Sequence, residues 1–162
     1  MLEDSRRSNT PILQYSNTPG KLFEMVRFET ERLVIRDHTG GDEESLQRLL
    51  MDAKAMRYLP DIFCHTPEEV HKNLQTAVQE AHNSDRTKYF FVIEHRADHQ
   101  YIGEIGFTRV APVGPKGKIA GLGYFILPEC WGNGYTTEAA LAVIDFAFQH
   151  CGLHKLTCGC LK

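Results

Sequence analysis

A long apolar helix pattern that begins directly after two glycines is the feature that most constrains this fold. The segment PECWGNGYTTEAALAVIDFAF, residues 128–148, follows a strand-like run and places Gly132 and Gly134 at the mouth of the helix. The first N–H groups of a helix have no intrahelical partner, and the helix dipole makes that end positive. Glycine also permits a left-handed backbone and the close approach of a ligand. This order therefore favours a site for a pyrophosphate group.

The glycines are equally compatible with a turn that needs them only for its geometry. The sequence lacks the G-x-x-x-x-G-K-[ST] pattern of nucleoside-triphosphate P-loops, and its glycine spacing differs from G-x-G-x-x-G. On spacing alone, both interpretations stay open. If an anion binds, Thr136 and Thr137 can add hydroxyl donors, whereas Asn133 is expected to contribute only its backbone.

The composition is typical of a soluble globular domain. The chain has 162 residues, with 42% hydrophobic and 24% charged residues and a formal net charge of -3. This charge argues against broad binding to nucleic acid or to an anionic membrane, both of which need a basic surface. No apolar run approaches the roughly 20 residues of a membrane span, and the first thirty residues lack the apolar core of a signal peptide. We therefore predict a cytoplasmic protein.

The chain divides into a polar leader and a mixed α/β domain. Residues 1–25 contain SNTP twice, in SNTPILQYSNTPG, and such a segment cannot build a core. We expect a flexible leader there and a folded domain over 26–162. The domain reads as one strand, two helices, three strands, a helix and a last strand at HKLTCGC, residues 154–160. This order predicts a mostly antiparallel central sheet flanked by helices, with a parallel pair at its end.

Three separated segments resemble the GNAT superfamily of N-acetyltransferases, over about residues 27–162. GLGYFILPECWGNGYTTEAALAVIDFAF is similar to the acetyl-coenzyme A signature, FETERLVIRDH to the opening strand and YIGEIGF to the middle strand. The family's phosphate turn reads Q/R-x-x-G-x-G/A, so Trp131 and Thr136 depart from its consensus. Trp131 and the run GYTTEA resemble the branch that acetylates ribosomal-protein N-termini.

The resemblance implies the transfer of an acetyl group from acetyl-coenzyme A to a primary amine. The favoured acceptor is a protein N-terminal amine. The alternatives are a small amine or an antibiotic, or a non-catalytic acyl-coenzyme A-binding or interaction module. A homodimer stays open. In this family another helix and two strands follow the strand matched by HKLTCGC. We therefore expect a domain that stops after its fifth strand. The tyrosine that serves as the general acid in many members lies in that later part, so we expect it to be missing here.

The resemblance also assigns the residues that bind the cofactor. The backbone of the strand GLGYFIL would hold the pantetheine arm and face the thioester oxygen, through Tyr124, Phe125 and Ile126. The turn would hold the pyrophosphate, through Trp131, Gly132, Asn133, Gly134, Tyr135, Thr136 and Thr137.

Acetyl transfer to an amine needs a proton acceptor and donors for the developing oxyanion. Glu104 is the candidate acceptor, because a carboxylate within an apolar strand is costly unless it is paired or used. Its alternative is a side chain that faces solvent. Tyr124 is either a core aromatic or a proton relay. Glu138, one turn into the helix, is an acid that favours the helix dipole.

Cysteine and metal chemistry are not favoured. A covalent route through Cys130, near the helix start, lacks an adjacent histidine base. Cys158 and Cys160 form C-x-C, whereas zinc-binding pairs are usually spaced C-x2-C or wider, so we predict no metal site. The eight histidines are scattered, and those around the second helix are expected to be solvated.

Overall fold

The computed structural model describes residues 25–114 and 117–159 and has a six-stranded sheet in which the strands follow sequence order. The strands are β1 (Arg27–Glu29), β2 (Leu33–Arg36), β3 (Lys88–His95), β4 (Tyr101–Gly114), β5 (Gly117–Ile126) and β6 (Leu153–Thr157). Strands β1 to β5 pair antiparallel, and β6 runs parallel to β5. The mixed α/β class and the mostly antiparallel sheet are therefore confirmed.

The opening segment differs from the prediction of one strand, because it forms a hairpin of β1 and β2. The Thr30 N–H donates to the carbonyl of Leu33 at 2.9 Å, and the Leu33 N–H donates to Thr30 Oγ1 at 3.0 Å. This tight turn contains neither glycine nor proline, the strongest turn signals in a sequence. The alternation of apolar residues continues across it, so the sequence pattern predicts one strand where the structure has two. The last described strand, β6, is accordingly the sixth and not the fifth.

The three helices of the described ranges cover both faces of the sheet. Helices α1 (Glu43–Leu50) and α2 (Pro67–Ala81) lie on one face, and α3 (Tyr135–Gln149) lies on the other. Helix α2 begins as its sequence predicts, with Pro67 in its first turn and Thr66 Oγ1 accepting from the Glu69 N–H at 3.3 Å. None of these helices is long and apolar enough to cross a membrane.

The side of α3 that faces the sheet is anchored by one aromatic residue. Phe146 stacks on Phe28 and meets Phe91 edge to face, with ring centroids 5.6 and 5.7 Å apart. Because side chains alternate along a strand, the neighbours of Phe91 point to the opposite face, beneath α1 and α2. The predicted leader lies outside the described residues except for Met25, as does Cys160.

A buried ion pair joins the end of β2 to the segment before β3. Arg86 donates to both oxygens of Asp37, at 2.6 and 3.1 Å, and Asp37 also accepts the Val26 N–H at 2.8 Å. Both charged side chains are buried. Removing one partner of such a pair leaves the other charge buried and uncompensated.

We predict that Arg86→Ala lowers the free energy of unfolding by about 3–5 kcal/mol, since Asp37 would lose its cation. Urea denaturation followed by circular dichroism measures this. The matched control is Arg48→Ala, because the Arg48–Glu129 pair is about half exposed, and such pairs contribute about 0–1 kcal/mol. Equal effects of the two substitutions would contradict the structural importance of the Asp37 pair.

Candidate active site

The two glycines ahead of α3 adopt a conformation that requires glycine. Gly132 and Gly134 have φ of 77° and 76°, in the left-handed region. A Cβ atom added at Gly132 would meet no atom within 4 Å, so the space around this residue is open. The glycines therefore serve the geometry of the turn and also leave its backbone accessible, and the two interpretations of the motif are compatible.

The first turn of α3 has free donors. Its N-cap is Gly134, which has no side chain to accept a hydrogen bond, and the first intrahelical bond runs from the Glu138 N–H to the Gly134 carbonyl at 3.1 Å. The N–H groups of Tyr135, Thr136 and Thr137 consequently have no acceptor within the helix. This arrangement fits an anionic group such as a pyrophosphate.

Two side chains of the turn brace its backbone. Trp131 Nε1 donates to the carbonyl of Ile126 at 2.8 Å, which fixes the turn to the end of β5. Asn133 Nδ2 donates to the carbonyls of Cys130 and Trp131, at 3.1 and 3.2 Å. The amide side chain of Asn133 therefore closes the turn, and the expected contact of its backbone with an anion stays a prediction.

An ion pair with the β1–β2 hairpin holds the turn in place. Glu138 accepts from the Arg32 backbone N–H at 2.9 Å, from Arg32 Nε at 2.7 Å and from Thr30 Oγ1 at 2.6 Å. Arg32 Nη1 in turn donates to the Asn133 carbonyl at 3.0 Å. Partial burial opposes ionisation, yet these hydrogen bonds prevail and lower the pKa of Glu138. Glu138 thus tethers the turn, a role beyond the predicted favourable contact with the helix dipole.

Next to the turn, one edge of β5 is partly unpaired. On its first edge, residues 124–126 pair with residues 103–105 of β4. On its second edge, pairing with β6 ends where Gly121 meets Thr157, and the described residues supply no strand partner to 122–126. The backbone groups on this edge can hydrogen-bond an extended ligand. These residues include the predicted Tyr124, Phe125 and Ile126.

The two predicted catalytic side chains lie on opposite faces of the sheet. Glu104 is opposite Phe125 and Tyr124 is opposite Ile105, so alternation separates Glu104 from Tyr124. Glu104 is 6% exposed and Tyr124 is 47% exposed. The solvent-facing alternative for Glu104 is therefore wrong, and so is the core-aromatic alternative for Tyr124. The structure does not bring the two side chains together.

A histidine that the sequence analysis missed is paired with Glu104. His38 Nε2 lies 2.5 Å from Glu104 Oε1, and the His38 side chain is 2% exposed. Both residues line a cavity of about 330 Å³ beneath α1 and α2, together with Phe90 and Phe125. The available signal was the polar pair Asp37–His38 directly after the apolar strand β2, since site residues concentrate where strands pass into loops.

The surroundings of His38 favour its charged form. Burial opposes protonation, but the Glu104 carboxylate outweighs it, with smaller contributions from Asp42 and Asp37, and raises the pKa of His38. Two buried side-chain atoms in the described part of the chain have no hydrogen-bond partner, His38 Nδ1 and Tyr101 Oη. Burial, reinforced by Glu104, raises the pKa of Tyr101 well above its ordinary value. Tyr101 therefore stays a neutral phenol.

Sequence comparison identifies relatives of the chain. The profile of a family described as "Acetyltransferase (GNAT) domain" matches residues 32–162. The uncharacterized N-acetyltransferase YoaA of Bacillus subtilis (strain 168) is 30% identical over 128 residues, which cover 79% of this chain and 70% of that protein. These matches favour an enzyme over a non-catalytic binding module.

Solved structures share the fold but differ in acceptor. A ribosomal-protein-S5-alanine acetyltransferase from Vibrio fischeri matches with a TM-score of 0.66 at 21% identity, covering 82% of this chain and 73% of that chain. A spermidine N-acetyltransferase from Vibrio cholerae, in complex with CoA and spermine, matches with a TM-score of 0.65 at 20% identity, covering 80% and 71%. The likeness to the ribosomal-protein branch is therefore not specific.

The family match and the fold are consistent with two features of the site, the glycine turn before α3 and the edge of β5 that lacks a strand partner at residues 122–126 within the described ranges. The chain belongs to the GNAT family of acetyltransferases, enzymes that use acetyl-coenzyme A as the acetyl donor.

Proposed function

We propose that this enzyme acetylates a protein N-terminal amine by direct attack on the thioester of acetyl-coenzyme A, with the amine bound in the cavity at Glu104. The observation that carries the proposal is the position of the end of β5. Phe125 lines the cavity with Glu104, whereas the carbonyl of the next residue, Ile126, accepts a hydrogen bond from Trp131 of the glycine turn. The candidate donor and acceptor sites therefore meet at adjacent residues.

The donor side would bind through backbone groups. The free N–H groups at the start of α3 would hold the pyrophosphate, and the unpaired edge of residues 122–126 would hold the pantetheine arm. When bound, the cofactor supplies the thioester carbonyl that the amine attacks. Tyr124 takes part through its backbone in this proposal, because its side chain points away from the cavity.

The acceptor side supplies a base. Glu104 Oε1 is paired with His38 Nε2, so we assign the amine proton to the other carboxylate oxygen, Oε2. As the amine nitrogen bonds to the acetyl carbon, Glu104 Oε2 takes the proton that the nitrogen loses. The C–S bond then breaks, and the electron pair leaves with the sulfur as the thiolate of coenzyme A.

The charges of the cavity favour a peptide N-terminus over a polyamine. Its lining combines the cations Arg86, Lys88 and His38, whose pKa is raised, with the carboxylates Asp61, Glu80 and Glu104, and Arg86 is already paired with Asp37. Glu80 already accepts the backbone N–H groups of Thr87 and Lys88, at 3.1 and 3.2 Å. A polyamine brings several positive charges into this mixed field, whereas a peptide brings one ammonium group and neutral amides.

We predict that unstructured peptides with a free N-terminus are acetylated with a higher kcat/KM than spermidine or an aminoglycoside. Thiol release with a panel of amines, followed by mass spectrometry of the products, measures this. The matched control is each peptide with a blocked N-terminus and an intact lysine. A preference for spermidine, or for the lysine of the blocked peptide, would contradict the proposed acceptor.

We predict that Glu104→Gln lowers kcat/KM by about 10²–10⁴-fold, the usual contribution of a general base. Acetyl-coenzyme A affinity should stay unchanged, because Glu104 lies on the acceptor side. The control is Glu129→Gln, since Glu129 is about half exposed and pairs with the exposed Arg48. A folded Glu104→Gln enzyme with full turnover would exclude Glu104 as the proton acceptor.

We predict that Gly134→Val weakens acetyl-coenzyme A binding about tenfold or more, since one or two charge-assisted hydrogen bonds contribute about 1.5–3 kcal/mol each. A β-branched residue is strained at a φ of 76° and obstructs the turn. Asn133→Ala should weaken binding less, because it removes bonds within the turn. Calorimetry measures both affinities.

The control is Gly40→Ala, because the position of Gly40 has open space and an ordinary φ. Unchanged binding by folded Gly134→Val would show that the glycines serve only the turn.

A further inference from the structure

Two of the three carboxylates nearest His38 already have an arginine partner. Asp37 is held by Arg86 at 2.6 and 3.1 Å. Asp42 is held by Arg36 at 2.7 and 2.9 Å, and this arginine also pairs with Glu94. Each of these carboxylates therefore has a guanidinium partner.

Glu104 is the third carboxylate, and its cation is His38. No arginine or lysine forms an ion pair with Glu104 among the described residues; its one ion pair is with His38 Nε2. The other charged residues that line the cavity are Asp61, Glu80, Arg86 and Lys88, and the buried, neutral phenol of Tyr101 also faces Glu104. A buried carboxylate without a cation takes up a proton instead of staying ionised. His38 is therefore the cation that compensates the buried Glu104 carboxylate.

We propose that His38, as an imidazolium ion, is a positioning residue for acetyl transfer that keeps Glu104 ionised and leaves Oε2 to accept the amine proton. This inference rests on the proposed function. A protonated Glu104 has no free electron pair of sufficient basicity for the amine proton, so the charge of His38 acts on the reaction without touching the substrate.

Packing alone does not account for a histidine at this position. His38 Nδ1 is buried without a hydrogen-bond partner, and such an orphaned atom costs free energy that an apolar side chain of similar size would avoid. The short bond from Nε2 to Glu104 is the compensating interaction. The pairing with Glu104 is therefore the interaction that a histidine adds at this position.

The kinetic test compares His38→Gln with the wild type over pH. Glutamine keeps a hydrogen-bond donor but removes the positive charge that His38 places against the Glu104 carboxylate. We expect the acid limb of kcat/KM to move upward by about one pH unit, which is about tenfold in rate at a pH on that limb. The KM for acetyl-coenzyme A should not change.

Three further variants separate positioning from structure. His38→Lys, which restores a positive charge, should return the acid limb toward the wild-type position. In a Glu104→Gln background, His38→Gln should cause no further loss of kcat/KM. The control is His71→Gln, because His71 forms an exposed pair with Glu43 at 3.1 Å. If His38→Gln lowers the thermal midpoint but leaves the acid limb in place, the positioning role is overturned.

A second measurement does not depend on acetyl transfer. Titration of the His38 ring by NMR should show a pKa above the ordinary 6.5 in the wild type. In Glu104→Gln the pKa of His38 should be lower, because burial still disfavours the charged ring and the carboxylate that outweighs burial is gone. Because the folded pKa is raised, the pair stabilises the protein fully below pH 6.5, and this stabilisation is lost as the pH rises through the folded pKa.

The two measurements distinguish failure of this inference from failure of the proposed function. A neutral His38 ring at pH 6.5 would overturn the inference even if the wild type acetylates peptides. A raised His38 pKa in a wild-type enzyme that acetylates no N-terminal amine would overturn the proposed function, and with it the catalytic part of the inference. A raised pKa together with a shifted acid limb in His38→Gln supports both.

Discussion

The structure depends on the requirement that each buried carboxylate beneath α1 and α2 has its own cation. Asp37 satisfies this with Arg86, and the pair also binds the backbone of Val26, so it joins the start of β1, the end of β2 and the segment before β3. This junction fixes the direction in which the chain leaves β2. The next residue, His38, is thereby placed against Glu104 on β4.

The β1–β2 hairpin connects the two halves of the candidate site. At its turn, Arg32 binds Glu138 of α3 and the Asn133 carbonyl, and so holds the glycine turn. At its other end, β2 passes into Asp37 and then His38, which lines the cavity. These contacts flank β2, with Arg32 directly before its first residue and Asp37 and His38 directly after its last, and Thr30, directly after β1, adds the hydroxyl that donates to Glu138. The hairpin is therefore a functional feature as well as a local detail.

Separation by sheet face gives the two candidate binding regions, the glycine turn with the open edge of β5 and the cavity at Glu104, different surroundings. Helix α3 begins beside the open edge of β5 and offers uncapped N–H groups, which suit phosphate oxygens. The cavity on the other face combines apolar walls from Phe90 and Phe125 with charged groups. Because Phe125 and Ile126 are neighbours in sequence, their side chains point to different faces while their backbone remains continuous. The end of β5 thus connects two chemically distinct environments.

The sequence by itself determined the fold class, the strand β5–turn–helix α3 unit and the family, because these depend on local signals. Two glycines followed by an apolar-periodic run indicate a left-handed turn and the start of a helix. A carboxylate inside the apolar run YIGEIGF indicates a buried charge. Local alternation could not reveal the turn at Thr30, since no glycine or proline marks it. Tertiary structure alone decided the partners of Glu104 and Glu138. His38 lies 66 residues from Glu104 and Arg32 lies 106 from Glu138, and pairing over such separations depends on strand register and helix placement, which no short window of sequence contains.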